Sequence, residues 1–268
     1  MSTRIAVAGA AGRMGRAILT LALQDKSLQI SGALEQKGSS TLGEDLGSLL
    51  GVKNLSVSIT DQPAKAVSGA DVLIDFTHPS ATTSHLDAVL QAKKTYVLGT
   101  TGLDEKIMEK IRAAGKSIAI VQSPNMSVGV NLLFKLAELT ARALDESYDI
   151  ELAETHHRMK KDSPSGTAAK LVEIVASARK KNLKKDVIYG REGQVGERPK
   201  GQIGVFALRG GDVVGDHILS FLGDGERLEL THRATSRDAF AQGALRAAKF
   251  VAGQRPGLYN MSQVLGIA

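Results

Sequence analysis

Residues 154–168 run Glu-Thr-His-His-Arg-Met-Lys-Lys-Asp-Ser-Pro-Ser-Gly-Thr-Ala, and no other stretch of the chain concentrates so much reactive chemistry. His156 and His157, at the end of a predicted strand, share the segment with Lys160, and Asp162 and Ser165 follow. Imidazole titrates near neutrality and moves protons, while an ammonium group donates a proton or holds an anion. Pro164 and Ser165 start a helix in this reading, so the amides of Gly166 and Thr167 lie at its positive end, a place suited to a substrate carboxylate. Adjacent histidines among cations, with no cysteine in the chain, do not make a metal ligand set, so no metal is expected. Ser-His-Asp hydrolysis lacks support too, because no serine sits on a nucleophile elbow. The segment can hold an anion and give it a proton.

A second motif supplies a source of electrons. Gly9-Ala10-Ala11-Gly12-Arg13-Met14-Gly15 follows an apolar run, Ile5 to Ala8, and opens a stretch with helical apolar spacing. Glycine permits the tight turn and lets backbone amides approach a pyrophosphate at a helix N-terminus. Glu35 ends the next apolar run, where a carboxylate can accept from ribose hydroxyls. Strand, loop, helix, strand and acid in that order predict a dinucleotide site. Glu35 suits NADH and repels a 2′-phosphate, whereas Gln36 and Lys37 leave NADPH open. Gly99-Thr100-Thr101-Gly102 and Ser123-Pro124-Asn125-Met126 also follow apolar runs. In an open parallel sheet, ligands lie over the carboxyl edges of the strands, so these loops are expected to face the cofactor. The amide of Asn125 could orient a nicotinamide.

The elements that must position these groups follow from periodicity. Helical spacing over Ala10–Gln24, 79–92 and 104–113 alternates with apolar strands at 28–34, 71–76, 96–98 and 118–121. A short strand near Val57 and Ile59 and a helix over 62–67 are also expected, with a loop over Gly38–Gly51. Strands apolar on both faces, each followed by a helix, predict a parallel sheet covered on both sides. After Pro124 the rhythm changes. A helix over 128–144, a strand over 148–155 and a helix over 167–178 precede strand-like runs at 203–208, 213–222 and 227–232. A last helix spans 238–251. The fold class is α/β: a Rossmann-like dinucleotide-binding domain over 1–127, completed by 238–268, and a C-terminal α+β domain with an open mixed sheet over 128–237.

Composition narrows the partners. The 268 residues carry 43% apolar and 23% charged residues, values of a soluble globular protein. The net charge of +6 invites a nucleic-acid reading, but tryptophan is absent and aromatics are only 4%, so small anionic ligands account for it better. The first residues lack the sections of a signal peptide, and no apolar run approaches the roughly 20 residues of a membrane span. With no cysteine, a cytoplasmic location is expected. Hydride transfer with protonation is the economical activity. Another small-substrate dehydrogenase and a non-catalytic NAD(H)-binding redox sensor remain rivals, though a sensor needs no proton donor in its second domain.

At these residues the chain resembles the dihydrodipicolinate reductase family. The family's Glu-x-x-Glu-x-His-His-x-x-Lys-x-Asp-x-Pro-Ser-Gly-Thr-Ala signature is matched from Glu151 through Ala168. The glycine loop, Asp75-Phe76-Thr77, Gly99 to Gly102, Asn125 to Asn131, Arg191-Glu192-Gly193, Gly210 to Gly215 and His232 to Arg237 extend the likeness over essentially the whole chain. The resemblance implies NADH- or NADPH-dependent reduction of 4-hydroxy-tetrahydrodipicolinate to tetrahydrodipicolinate, with loss of water, in the diaminopimelate route to lysine. It implies His156 as proton donor with Lys160 as its partner, and His157, Gly166 and Thr167 on the substrate carboxylates. Gly9, Ala10, Ala11, Gly12, Arg13, Met14, Glu35, Gly99, Thr100, Thr101, Ser123, Pro124, Asn125 and Met126 would contact the cofactor. Gln36 stands where many relatives carry arginine near the 2′-phosphate, which weakens an NADPH preference. A homotetramer built through the C-terminal sheets is likewise implied.

Overall fold

The computed structural model describes residues 2–268. The chain divides into two compact units, Met1–Val128 with Arg237–Ala268, and Gly129–Ser236.

The first unit begins with β1 (Thr3–Ala8), α1 (Arg13–Gln24), β2 (Leu28–Leu34), α2 (Leu46–Leu50), β3 (Ile59–Thr60), α3 (Pro63–Ser68), β4 (Val72–Asp75), α4 (Pro79–Gln91), β5 (Thr95–Leu98), α5 (Glu105–Ala114) and β6 (Ala119–Gln122). Each strand pairs in parallel with its neighbours. Alternate strand residues go to opposite faces. Ile5, Val7, Val72, Ile74 and Val97 join Ile18 and Leu19 of α1 in one core. Ala6, Ala8, Leu73, Tyr96 and Leu98 join Val67, Leu86 and Ile111 of α3, α4 and α5 in the other. Two covered faces explain why these strands are nearly continuous apolar runs.

The stretch Gly38–Gly51, expected to be loop throughout, contains α2. The Asp45 carboxylate accepts from the amides of Gly47 at 2.8 Å, Leu55 at 2.9 Å and Val57 at 3.1 Å, and Gly51 ends the turn at φ 68°. A long-range cap, rather than local propensity, creates this helix.

The second unit follows as α6 (Val128–Ala143), β7 (Asp149–His156), α7 (Gly166–Ala178), β8 (Val187–Tyr189), β9 (Ile203–Arg209), β10 (Gly215–Gly223) and β11 (Glu226–Ala234). Its sheet has the order β11-β10-β7-β9-β8. β10 runs antiparallel to β7 and β11, while β9 runs parallel to β7 and β8, so the sheet is mixed. Ile150 and Leu152 of β7, Ile203 and Val205 of β9, and Leu219 and Phe221 of β10 form one core with Leu133, Ala137, Leu171 and Val175 of α6 and α7. Along β7 every second residue is buried: Ile150, Leu152, Glu154 and His156. The face that starts apolar therefore ends in a carboxylate and an imidazole.

The chain then returns to the first unit as α8 (Asp238–Val251), β12 (Gly257–Tyr259) and α9 (Met261–Leu265). β12 pairs in parallel with β6 and completes a seven-stranded sheet of order β12-β6-β5-β4-β1-β2-β3. Ala241, Ala244, Leu245, Ala248 and Val251 of α8 enter the core that holds α1. A Cβ on Gly243 would lie 1.7 Å from the Met126 carbonyl oxygen, so only glycine allows this helix so near the chain after β6. Among the described residues, no helix is long and apolar enough to cross a membrane.

Candidate active site

At the carboxyl edge of the parallel sheet, the loop after β1 turns at Gly9, whose φ is 70°. A Cβ on Gly15 would lie 2.0 Å from the Gly9 carbonyl oxygen, so the third glycine is what lets α1 start against the turn. Gly12 is the N-cap of α1 and offers no side-chain acceptor. Without one, the first-turn amides keep their capacity to bind an anion at the positive helix end. Gly9, Gly12, Arg13, Met14, Glu35, Gln36, Phe76, Thr77, His78, Ser80 and His85 line a cleft of about 520 Å³ over this turn. The Glu35 carboxylate accepts from the amides of Ala11 and Gln36, both at 2.9 Å, and so braces the loop from beneath β2's end. These residues fit a pyrophosphate and an adenosine ribose.

The other residues expected at the cofactor are placed differently. Ala10 is fully buried in the core, with its amide bonded to the Leu34 carbonyl at 3.1 Å. Met126 is also a core residue. Gly99, Thr100 and Thr101, and Ser123, Pro124 and Asn125, follow β5 and β6 and are not among the residues lining the cleft at the glycine turn. Gly99 has the Phe76 ring against it: a Cβ there would lie 2.3 Å from a ring carbon. Ser123 Oγ donates to the Asn125 carbonyl at 2.8 Å, and Asn125 Oδ1 accepts from the Ser127 amide at 2.9 Å. This turn is held by its own polar groups.

Beneath these loops lies a buried carboxylate. Asp75 is 0% exposed and accepts from Thr77 N at 2.9 Å, Thr77 Oγ1 at 2.6 Å, Thr100 Oγ1 at 3.3 Å and Tyr96 OH at 2.5 Å, with His85 Nδ1 at 2.7 Å. Burial alone pushes its pKa up, but the bonds from His85, Thr77 and Tyr96 outweigh that and hold it below the usual carboxylate range. Burial, together with the Asp75 charge, pushes the Tyr96 hydroxyl well above its ordinary value. His85 thereby stands on a fixed carboxylate and lines the cleft.

The second unit carries the histidine-lysine segment. β7 ends at His156, whose carbonyl accepts from the Gly210 amide at 2.9 Å. His157 leaves the strand, its amide donating to the Val213 carbonyl at 2.7 Å, and is only half-buried. His156 is the inward imidazole. Its Nδ1 lies 2.5 Å from Oε2 of Glu154, which is 0% exposed. Arg209 donates to both Glu154 oxygens, at 2.8 and 2.9 Å, and the Ser165 amide donates to Oε1 at 3.0 Å. Burial again works to raise Glu154, but Arg209, His156 and Ser165 together hold its carboxyl below the ordinary value. Ser165 caps α7 through its Oγ, which accepts from the Ala168 amide at 3.1 Å and also lies 3.1 Å from His217 Nε2.

The His217 ring meets the His156 ring edge-on, with centroids 5.2 Å apart. Burial, aided by the His156 charge, lowers His217 to about 4. Burial also lowers His156; Glu154 opposes this, while Lys160 and Arg209 reinforce it. Lys160 Nζ donates to both oxygens of Asp162 at 2.9 Å. Gly166 is exposed at the first position of α7, and a Cβ there would meet nothing within 4 Å. Among the described residues, no group of three or more histidine or acidic side chains could hold a metal ion. The arrangement suits proton delivery beside an anion site.

The comparisons agree across both units. Family models described as "Dihydrodipicolinate reductase, N-terminus" and "Dihydrodipicolinate reductase, C-terminus" match residues 3–126 and 129–265. The chain belongs to the dihydrodipicolinate reductase family. It is 52% identical to a 4-hydroxy-tetrahydrodipicolinate reductase of Thiobacillus denitrificans over 267 residues, a coverage of 100% of each chain. The Nitrosomonas europaea protein of the same name is 50% identical over 263 residues, 98% of each. Among solved structures, a dipicolinate-bound dihydrodipicolinate reductase from Paenisporosarcina sp. TG-14 has the same fold, with a TM-score of 0.78, 23% identity and coverage of 97% and 98%. Membership in a dihydrodipicolinate reductase family with this N-terminal domain implies a pyridine nucleotide as reductant.

Sequence reasoning did not single out Glu154, Arg209 or His217. Glu154 was recoverable, since it stands two residues before His156 on a strand and must share its face. Arg209 and His217 lie on β9 and β10, and only sheet register aligns them, His156 with Arg209 and Glu154 with His217.

Proposed function

We propose that this protein reduces 4-hydroxy-tetrahydrodipicolinate to tetrahydrodipicolinate in the diaminopimelate route to lysine. Water leaves the substrate, a hydride and a proton are added, and the nucleotide is oxidised. The observation that carries the reading is the second unit's cluster: a buried imidazole on a carboxylate, a lysine and a helix N-terminus within fifteen residues, in a chain that belongs to this reductase family.

In this reading the first unit is the dinucleotide-binding domain and the second binds substrate. Bound reduced nicotinamide supplies the hydride. The α1 N-terminus and the glycine turn hold the pyrophosphate, with Arg13 and Met14 at the helix start. Gly99–Thr101 and Ser123–Asn125, at the carboxyl ends of β5 and β6, would border the nicotinamide, with Met126 supporting their turn from the core. His156 gives up a proton from Nε2, because Nδ1 faces Glu154. Lys160 steadies developing negative charge and shares the protonation. His157 and the amides of Gly166 and Thr167 hold the substrate carboxylates, as a helix N-terminus does for anions.

Glu35 favours NADH through the adenosine ribose, and the neutral Gln36 beside it leaves NADPH usable. The protein acts in the cytoplasm as a homotetramer joined through the second unit's sheet, whose face away from α6 and α7 exposes Leu208. Light scattering of the purified protein tests the tetramer. A paired assay with NADH and NADPH on freshly generated substrate tests the activity. Oxidation of nucleotide that depends on substrate, faster with NADH, is expected; no oxidation with either nucleotide would remove the proposal.

A further inference from the structure

The strand register places Arg209 beside His156, on the neighbouring strand β9. Its guanidinium is forked over Glu154, with Nη1 to Oε2 at 2.8 Å and Nη2 to Oε1 at 2.9 Å. The same Nη2 donates to the Asp162 carbonyl at 2.8 Å, and the Asp162 carboxylate holds Lys160. One side chain therefore touches both the carboxylate under His156 and the backbone of the residue that holds Lys160. The amide next to Arg209, that of Gly210, donates to the His156 carbonyl. Nothing in the reaction as proposed above uses Arg209.

We infer that Arg209 and Glu154 are a paired positioning device for His156: Glu154 fixes its tautomer and orientation, and Arg209 neutralises Glu154 so that the imidazole can release its proton. An ionised Glu154 accepts from Nδ1, which leaves Nε2 as the transferring nitrogen. A buried carboxylate facing an imidazole with no other partner would hold the imidazolium tightly and make it a poor acid. Arg209, bonded to both oxygens, balances that charge. Both oxygens are saturated, since Ser165 N takes the remaining place on Oε1. The charged and titratable groups facing His156 are then Glu154 from its own strand, Lys160 from the following loop, Arg209 from β9 and His217 from β10. Gly215 leaves room for the ring: a Cβ there would lie 2.9 Å from His156 Nε2.

The inference rests on the proposed role of His156, and the test separates the two. The imidazole titration of His156 is followed by NMR in the full-length protein, assigned by loss of the signal in His156→Ala, for wild type, Arg209→Met, Arg209→Lys and Glu154→Gln. Arg209→Met should raise the His156 pKa by about one unit. Arg209→Lys, which keeps the charge and loses the fork, should leave it near wild type while kcat falls and KM for the nucleotide stays unchanged. Glu154→Gln should lower it. The pH dependence of kcat/KM should move in the same directions. An unmoved His156 pKa in Arg209→Met and Glu154→Gln, with only thermal stability and kcat reduced, would overturn the inference. If Arg209→Met does not fold, Glu154→Gln and Arg209→Lys decide by the same criteria. Inactive variants with the expected pKa shifts would leave the positioning intact; failure of the reading itself appears only as wild-type protein that oxidises no nucleotide.

Discussion

His85 Nδ1 lies 2.7 Å from the carboxylate of Asp75, a residue with no exposed surface at the end of β4. The carboxylate also takes bonds from Thr77 and Thr100, so it ties together the loops after β4 and β5 beside the cleft at the glycine turn. One buried charge thus organises two of the strand ends that edge a ligand site.

That charge should register in stability. Asp75→Asn removes the charge but keeps the shape, and loses charge-assisted bonds worth roughly 1.5 to 3 kcal/mol. The folded-state pKa of Asp75 lies below its unfolded value. Its stabilisation is therefore fully present above the ordinary carboxylate pKa and is lost as pH falls through the folded value. Urea unfolding should find Asp75→Asn weaker than wild type at pH 7, with the gap narrowing in acid. A gap independent of pH would contradict this.

Gly15→Ala tests the glycine turn. Its Cβ would lie 2.0 Å from a backbone oxygen that cannot swing away. Overpacking of about 1 to 3 kcal/mol at the turn should weaken NADH binding roughly tenfold or more, read by fluorescence titration. Unchanged affinity would mean that the nucleotide does not use this loop.

Glu35→Gln tests cofactor choice. The carboxylate lines the cleft and braces the Ala11 amide. Losing its charge removes both a strong acceptor for the ribose and a repulsion toward a 2′-phosphate. The ratio of kcat/KM for NADH to that for NADPH should fall by roughly tenfold. A ratio that does not change would exclude Glu35 from the choice.

Burial lowers His156 below the ordinary imidazole range, with Glu154 opposing and Lys160 and Arg209 assisting. The donor form of the free enzyme is then the protonated one, so kcat/KM should decline as pH rises above that lowered value. A bound dianion favours the imidazolium, so the decline in kcat should come at higher pH. Steady-state rates between pH 5 and 9 check both limbs. A kcat/KM that climbs through this range would contradict His156 as the donor.

The sequence exposed what is local and periodic. Strands apolar on both faces announced the parallel sheet, and α8 lies over the residues its spacing predicted, Asp238–Val251. The histidine-lysine segment was legible because its chemistry is consecutive. Glu154 shared a strand face with His156, yet glutamate in a strand looks like an exposed residue until the helix above it is known. Arg209, His217, His85 and Tyr96 depend on register between distant segments, which one sequence does not display. β8, β12 and α9 are too short to carry a period, and α2 exists through contacts made by Asp45 to residues beyond it.

In the proposed reaction the imidazole of His156 serves the chemical step and not the holding of nucleotide. His156→Ala, assayed for steady-state turnover and for NADH affinity by fluorescence, addresses it most directly. Turnover should drop roughly 10²- to 10⁴-fold in kcat while the NADH Kd stays within about twofold. Retained turnover, or a loss of NADH affinity as large as the loss of rate, would contradict it.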